Sequence, residues 1–424
     1  MKFKHLLIPS FILVAQAAQA NVLSDLAASV PEHTFVKMPA NASLGSMGMD
    51  ASLLYYADSG VWDPFKEEVA YVGGPGTCCA DPAVYKRISY RATTDTWAIV
   101  NAPFTGSGHG YDANALDPGT GNHYFAVFAD KVIHRWTGKA WEPLPAHTLA
   151  GECCVSLSWF PEINNGNGGL FLLVGSGLAA WYDGVSWTNI PKPAPVWGEI
   201  EGFSEYNPVL KSVWLGSGSG AERTSFLMDA KFKYTKLKDA PFSLKTNNSL
   251  KSVDPVSGKY IVYDMVGGTL WEFDAAKDAW TKITANAMPS LGSESLFQVP
   301  ITQYGVIMFF KQNGSSKDVY LYRHVKGVGQ VSLGERMAVG ATPRIGALVD
   351  PSGTLMILNV TGVLSGSASG VLTIHDSQGR LAASWPHVSA HPVTWDLSQA
   401  RGGMYVARFQ GGLGSVTKRI VVTH

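Results

Sequence analysis

The chain has 424 residues and balances 33 lysines and arginines against 33 aspartates and glutamates, so its formal net charge is zero. A protein without net charge has no overall electrostatic attraction to nucleic acid or to anionic membranes, and we expect neither partner. Beyond the N-terminal segment no stretch reaches about 18 apolar residues, which argues against a transmembrane helix. The 45 glycines and 13 tryptophans are typical of a turn-rich, all-β protein.

The first twenty residues have the form of a secretory signal peptide. Lys2 and Lys4 precede an apolar run over residues 6–15, and Ala18-Gln19-Ala20 matches the small-x-small pattern that signal peptidase cleaves. The apolar run is too short to span a bilayer. We predict that residues 1–20 are removed and that the mature chain is secreted to the extracellular space, the cell surface or the periplasm.

One sequence pattern is repeated six times between residues 62 and 300. Each copy contains an apolar strand ending near a proline, a second apolar strand that runs into glycines, and then a Trp or Tyr. The prolines are spaced 54, 43, 47, 47 and 45 residues apart: Pro64, Pro118, Pro161, Pro208, Pro255 and Pro300. A period of about 40–50 residues with four short strands per unit predicts a β-propeller, in which each unit forms one blade.

Five blades end in an aromatic residue that begins the outermost strand. These residues are Trp97, Trp141, Trp187, Tyr234 and Trp280, and we interpret them as core residues packed between neighbouring sheets. A sixth blade begins near Leu296 and lacks an outer strand of its own. Residues 33–39 look like that missing strand, so we predict a six-bladed propeller closed by an N-terminal strand. A further unit in residues 41–68 would make it seven-bladed.

The fifth unit resembles a kelch repeat. Residues 259–283 contain the double glycine Gly267-Gly268, an aromatic strand that ends in Asp274, and the closing Trp280, in the kelch order. The other units match more loosely. The resemblance implies a kelch-like β-propeller over residues 21–330, similar to the propeller of galactose-oxidase-like proteins.

The period stops near residue 345, and the last 80 residues follow another pattern. They contain a hairpin turn at residues 376–379, the pair Trp395-Asp396 and the phrase at 403–405. These features resemble the immunoglobulin-like modules that end many secreted bacterial proteins, including type IX sorting domains. The resemblance implies a small β-sandwich over residues 345–424, after a linker at 331–344, with a sorting or stabilising role.

In a propeller, the loops that lead into the innermost strands meet at one face of the ring, which we call the mouth. Twelve residues past the closing aromatics lie His109, Cys153, Glu199, Thr246 and Gly292. We predict that Gly108 and Gly110 leave the imidazole of His109 little covered, so that it acts as an acid, a base or a metal ligand near neutral pH. The alternative is that it only fixes the loop. Tyr111 should share its face.

Carboxylates and one amide form a second group of candidates at the mouth. The predicted substrate-binding residues are Glu152, Glu199, Glu201, Asn247 and Glu294. Grouped carboxylates need a cation or a basic substrate group to compensate their charge. They either bind calcium or another hard cation, or they are solvated rim charges without a common focus. No spacing matches a defined metal motif, so the cofactor is left unknown.

All four cysteines occur as two adjacent pairs, Cys78-Cys79 and Cys153-Cys154. Disulfides are expected in an oxidising compartment, and the sequence does not distinguish two vicinal bridges from cross-links between the segments. By register both pairs lie at the mouth, where they either staple loops or form an apolar ledge for a sugar ring. Arg223, behind alternating glycines and serines, is the candidate partner of a substrate carboxylate.

The residue types predicted at the mouth match those that a polysaccharide lyase acting on uronates needs. Such an enzyme neutralises the substrate carboxylate and removes the adjacent proton, and Arg223, His109 and Tyr111 fit these roles. We predict a secreted, monomeric propeller that binds or acts on a polysaccharide or cell-surface glycan. The alternative is a non-catalytic propeller that holds a glycan or a protein.

Two other activities fit less well. A copper radical enzyme of the galactose-oxidase type needs two histidines and two tyrosines around its metal, whereas among the histidines only His109 falls at a mouth position. Glycoside hydrolysis needs two carboxyl groups at a defined separation. Glu199 or Glu201 together with Glu294 would supply them.

Overall fold

The computed structural model describes residues 21–64, 66–74, 82–150, 155–166, 168–174, 177–191, 201–292, 295–326, 344–349, 355–361, 370–388, 393–398, 400–411 and 414–422. The predicted signal peptide, both cysteine pairs and almost all of the predicted linker therefore lie outside the described residues.

Six antiparallel sheets of four strands each follow one another in the described part of residues 34–323. In each sheet the innermost strand is the first of that blade, and the innermost strands of successive sheets are neighbours around a closed ring. Their alternation of apolar residues with turn-forming glycines, prolines and aspartates is the pattern of short, half-buried strands. The predicted six-bladed β-propeller is confirmed.

The first three blades are built from twelve strands. Blade 1 contains β2 (Val61–Asp63), β3 (Glu68–Gly73), β4 (Ala83–Arg91) and β5 (Thr96–Gly106). Blade 2 contains β6 (Asn114–Asp117), β7 (Asn122–Ala126), β8 (Ile133–Trp136) and β9 (Trp141–Pro143). Blade 3 contains β10 (Ser156–Phe160), β11 (Gly169–Leu173), β12 (Ala179–Tyr182) and β13 (Trp187–Ile190), with a short helix α3 (Ile163–Gly166) between its first two strands.

The other three blades repeat the arrangement. Blade 4 contains β14 (Phe203–Asn207), β15 (Ser212–Gly216), β16 (Ser225–Met228) and β17 (Tyr234–Lys236). Blade 5 contains β18 (Ser249–Val253), β19 (Tyr260–Asp264), β20 (Thr269–Asp274) and β21 (Ala279–Ile283). Blade 6 contains β22 (Leu296–Ile301), β23 (Val306–Asn313) and β24 (Ser316–Arg323), and its fourth strand is β1 (Thr34–Lys37).

Strand β1 closes the ring as the sequence predicts. It runs antiparallel to β24, with Thr34 opposite Arg323 and Lys37 opposite Tyr320. Helix α1 (Val22–Ser29) precedes it, and α2 (Ala42–Ser46) and a 3-10 helix (Ala51–Leu54) follow it. Because residues 41–60 hold these short helices rather than another sheet, the seven-bladed alternative is wrong.

The closing aromatics pack between blades, as expected. The ring of Trp97 in blade 1 lies 5.2 Å from that of Phe310 in blade 6, and the ring of Trp141 in blade 2 lies 5.2 Å from that of Phe104 in blade 1. Such ring pairs bury large apolar areas and add favourable edge or offset contacts. The tryptophans therefore hold neighbouring sheets together.

The C-terminal strands form two further sheets. One consists of β25 (Arg344–Val349), β26 (Leu355–Thr361) and β29 (Val393–Asp396), and the other of β27 (Gly370–Asp376), β28 (Leu381–Val388), β30 (Gly403–Gly411) and β31 (Gly414–Val422). Side chains from both sheets share one apolar core, which includes Leu358, Leu372 and Trp395. This is the small β-sandwich expected after the propeller.

Candidate functional site

A ring of polar side chains lies where the innermost strands begin. One such residue comes from each blade: Asp58, Asp112, Ser156, Ser204, Lys251 and Gln298. All six are buried, and parallel bridges from Ser59 to Gln298 and from Asp112 to Ser156 set their common level. Together with Ser59 and Glu205 we call them the axial plug.

Lys251 and Asp58 form the ionic centre of the axial plug. Both side chains are fully buried, and the Lys251 Nζ lies 2.6 Å from the Asp58 Oδ2. The backbone N–H of Lys251 also donates to the Asp58 Oδ1 at 2.8 Å, and Nζ donates to the carbonyl oxygen of Ser249 at 2.7 Å. A buried charge is tolerated only with such partners. The pair therefore joins blades 1 and 5 across blade 6.

The other carboxyl groups of the axial plug join further blades. The Asp112 Oδ2 accepts from the Ser156 hydroxyl at 2.5 Å and from the Ser204 backbone N–H at 2.8 Å. The Ser59 hydroxyl donates to Glu205. Blades 1 and 4 are opposite one another in a six-membered ring, so the last contact crosses the axis. Side chains thus occupy the axis at this level and form a floor beneath the mouth.

Burial controls the protonation of the axial plug. It raises the pKa of Asp112 and of Glu205 well above the ordinary carboxyl values, and nearby Asp58 raises both further. Burial also raises the pKa of Asp58, although the positive charge of Lys251 opposes the effect. Three carboxyl groups share one lysine here, so Asp112 and Glu205 favour their protonated, uncharged forms.

The mouth residues come shortly before the residues of the axial plug in the chain. Tyr55, His109 and Glu201 are each three residues before a plug residue, which places them at the same face. Tyr56, Tyr111 and Glu201 have positive φ angles of 56°, 44° and 65°. Residues other than glycine rarely adopt this left-handed backbone conformation, and backbone strain of this kind is often found at functional sites. The same conformation also occurs at other turns of the propeller, such as those at Lys211 and Asp278, so by itself it does not single out this face.

His109 lies under an aromatic cover. Its side chain is only 4% exposed, and its ring stacks on that of half-buried Tyr56 at a centroid distance of 4.4 Å. The ring of Tyr111 approaches edge-on at 5.6 Å, and Tyr55 lies 6.4 Å away. The expectation of a little-covered imidazole is therefore wrong, because Tyr56 from the preceding loop covers it. Burial lowers the pKa of His109, and its Nδ1 has no hydrogen-bond partner among the described residues.

The glycines around His109 are required by close packing. A Cβ on Gly108 would lie 2.0 Å from the Phe128 ring, and one on Gly110 would lie 2.0 Å from the Tyr71 hydroxyl. Neither space admits a methyl group without movement of an aromatic residue. The glycines thus fix the path of the loop and hold the imidazole against Tyr56.

A second polar group lies at the mouth between blades 4 and 5. The Lys245 Nζ is 2.6 Å from the Glu201 Oε2 and 3.8 Å from the Glu222 Oε1. The Thr246 backbone N–H donates to the Glu201 carbonyl oxygen at 3.2 Å. The Asn247 Oδ1 is buried and lacks a hydrogen-bond partner in the described structure. These contacts place Glu201 beside Lys245 and Thr246, and Asn247 is the next residue in the chain.

The remaining predicted site residues divide into two groups. Arg223 is exposed on the turn between β15 and β16, and its backbone carbonyl accepts from Ala240. Outside the described residues lie Glu152, Glu199, Glu294, Cys78, Cys79, Cys153 and Cys154. Among the described residues no group of three or more His, Cys, Asp or Glu side chains is arranged to hold a metal ion, and no described helix is long and apolar enough to cross a membrane.

Counting from the closing aromatics overlooked the axial plug, Lys245 and Tyr56. The count reaches Glu199 in blade 4, whereas the residue equivalent to His109 is Glu201, because the loop is longer there. The plug residues are spaced 54, 44, 48, 47 and 47 residues apart, close to the spacing of the prolines. They lie two to six residues before those prolines, at no constant offset, so the prolines mark the region of each plug residue but not its position.

Comparison with known proteins identifies no family for this chain. No family model matches the chain, and no curated protein matches it. Similar solved structures include a structural genomics protein of unknown function from Bacteroides thetaiotaomicron, with 11% identity, coverage of 60% of this chain and 76% of that one, and a TM-score of 0.42. YjhT has 13% identity, coverage of 64% and 94%, and a TM-score of 0.41. The WD40 domain of Toxoplasma gondii coronin has 11% identity, coverage of 73% and 91%, and a TM-score of 0.43.

Proposed function

We propose that this chain is a secreted β-propeller that binds a glycan at its mouth. The observation that carries the proposal is the pairing of His109 with Tyr56, since a half-buried tyrosine ring stacks over a histidine whose Nδ1 lacks a hydrogen-bond partner among the described residues. Small-ligand sites combine aromatic surface with a few convergent polar groups. A pyranose ring suits this combination because it has an apolar face and hydroxyl groups around its edge.

The charges at the mouth favour an uncharged glycan over a polyuronate. Lys245 is paired with Glu201, and burial lowers the pKa of His109, which keeps its ring neutral near pH 7. Arg223 is an exposed cation in the described part of the mouth and the candidate partner of a substrate carboxylate. A polyanion normally needs several such groups.

The test is binding of the purified mature protein to neutral and acidic polysaccharides, with Tyr56→Ala as the variant. Loss of a central aromatic contact is expected to weaken binding at least about tenfold. The control is Tyr320→Ala, because Tyr320 is half-buried on β24 of the closing blade. Equal effects of the two variants, or no binding to any glycan, would contradict the proposal.

A polysaccharide lyase is the second candidate, with His109, Tyr111 and Arg223 as its catalytic residues. The lowered pKa of His109 favours it, because a neutral imidazole is the form that removes a proton. Release of unsaturated uronates, followed by ultraviolet absorbance, is expected to disappear in His109→Gln while glycan binding remains. Absence of unsaturated product from every uronate polymer tested would leave the binding function alone.

We also propose that the propeller is of the kelch type and that residues 345–424 are an immunoglobulin-like sorting or stabilising module. The turn Gly267-Gly268 between β19 and β20, and Trp280 on the outer strand of the same blade, support the kelch assignment. Secretion and disulfide formation are tested together by mass spectrometry of the exported protein. The expected results are an N-terminus at Asn21 and a mass four hydrogens below that of the reduced chain.

A further inference from the structure

The seam at which β1 closes the ring is flanked by two histidines. His33 comes immediately before β1, and His324 comes immediately after β24. The His33 backbone N–H donates to the His324 carbonyl oxygen at 3.4 Å, and the two rings meet edge-to-face at 5.0 Å. These residues therefore lie at the last backbone contact of the closing pair.

The hydrogen bonds of His324 suit an uncharged imidazole. The side chain is 1% exposed, its Nε2 lies 2.7 Å from the Glu272 Oε2, and its Nδ1 lies 3.3 Å from the Tyr322 hydroxyl. In the neutral ring Nε2–H donates to Glu272, and Nδ1 accepts from Tyr322. A second proton on Nδ1 would leave two donors facing each other unless the hydroxyl turned away.

Several other charged groups face the same space. The second oxygen of Glu272 accepts from the Lys259 Nζ at 2.7 Å, so this carboxylate is already paired. Asp254 is fully buried after β18, and Arg323 is buried on β24. The Arg323 guanidinium is held by the backbone carbonyl oxygens of residues 27, 30 and 304, at distances of 2.6 to 3.2 Å. It therefore faces helix α1 and not the histidine pair.

The balance of these groups opposes a charge on His324. Burial lowers its pKa, and neighbouring His33 acts in the same direction, while Asp254 and Glu272 oppose the change. A histidine with a lowered pKa contributes stability that is fully present above its unfolded value of about 6.5 and is lost as the pH falls below it. Asp254 has a raised pKa, which favours the folded state at low pH and is a separate effect.

We propose that the His33–His324 pair is an acid-sensitive latch, so that mild acid releases strand β1 from β24 while the other blades stay folded. Opening exposes His324 to water, where it accepts a proton freely, and neutral pH closes the seam again. For each pH unit by which folding lowers the pKa of His324, acidification can shift the equilibrium between the closed and the open seam by up to tenfold. The ring would thus open at one place, where the joined segments are furthest apart in the chain.

The test is amide hydrogen exchange between pH 7.5 and 5, corrected for the intrinsic exchange rate at each pH. The protection factors of Thr34–Lys37 are expected to fall tenfold or more over this range, while those of β10 and β11 in blade 3 change much less. In His324→Gln, which keeps a polar amide but does not titrate, the protection of β1 should no longer depend on pH. If His324 had only a structural role, His324→Gln would lower the protection factors of β1 by the same factor at every pH.

A second variant separates the latch from general acid unfolding. His123 is 1% exposed between blades 1 and 2, and burial lowers its pKa well below the ordinary value. His123→Gln should therefore leave the pH dependence of β1 unchanged. The proposal is overturned if β1 loses protection in parallel with blade 3, or if His324→Gln retains the wild-type pH dependence.

Discussion

Removal of the buried lysine should reveal how strongly the axial plug holds the ring together. Lys251→Met keeps a side chain of similar length but leaves the Asp58 carboxylate without the ammonium that lies 2.6 Å away, in a place where neither side chain is exposed. Breaking one partner of a buried ion pair costs about 3–5 kcal/mol of unfolding free energy. The new methionine also abandons two hydrogen bonds, to the carbonyl and hydroxyl oxygens of Ser249.

The double variant Asp58→Asn/Lys251→Met removes the stranded charge, and the amide oxygen still accepts from the backbone N–H of residue 251. We expect it to recover at least half of the loss. Lys37→Met is the control, because Lys37 lies 2.7 Å from Asp318 but is 58% exposed, and exposed pairs contribute about 0–1 kcal/mol.

The assay is unfolding in guanidinium chloride, monitored by tryptophan fluorescence. Because 11 of the 13 tryptophans precede residue 300, the fluorescence reports on the propeller. A loss below about 1 kcal/mol for Lys251→Met would refute the reasoning. A double variant less stable than the single one would refute it as well.

Three further results are expected. Because the pKa of Asp112 is raised, its contribution to stability is lost as the pH rises above the ordinary value of 3.8, so Asp112→Asn should flatten the fall of unfolding free energy with pH. Gly108→Ala should cost about 1–3 kcal/mol by overpacking against Phe128, whereas Gly48→Ala, with nothing within 4 Å of the new methyl group, should change the denaturation midpoint little. Arg323→Met should expose the amides of helix α1 to hydrogen exchange, because the carbonyl oxygens of residues 27 and 30 at its C-terminal end lose a charged donor, and unchanged exchange would show that Arg323 does not hold this helix end.

The repeat could be predicted from the sequence because each blade repeats the same local physics. The prolines, glycines and closing aromatics recur at nearly constant spacing, so the blade number and the closing strand β1 follow from counting. Apolar strands of period two also specify which side chains enter the core. For this reason the sequence predicts correctly that Trp97 and Trp141 pack between sheets.

The candidate site was less predictable because its contacts join residues far apart in the chain. His109 was placed at the mouth, but its cover comes from Tyr56, which is 53 residues earlier in a loop with no repeat signal. Asp58 pairs with Lys251 across 193 residues. Neither partner is implied by local periodicity, and the loop before blade 4 shifts the count by two residues. Side-chain register therefore depends on loop length as well as on the period.

The closing strand also sets the order in which the propeller forms. Residues 34–37 leave the ribosome early, yet their partner residues 320–323 come almost three hundred positions later. Bringing such distant segments together has a high entropic cost and slows folding. Until blade 6 exists, the early strand has an unpaired edge and blades 1 to 5 form an open arc. We therefore expect ring closure to be the last step of propeller folding, and until then the incomplete propeller presents exposed strand edges.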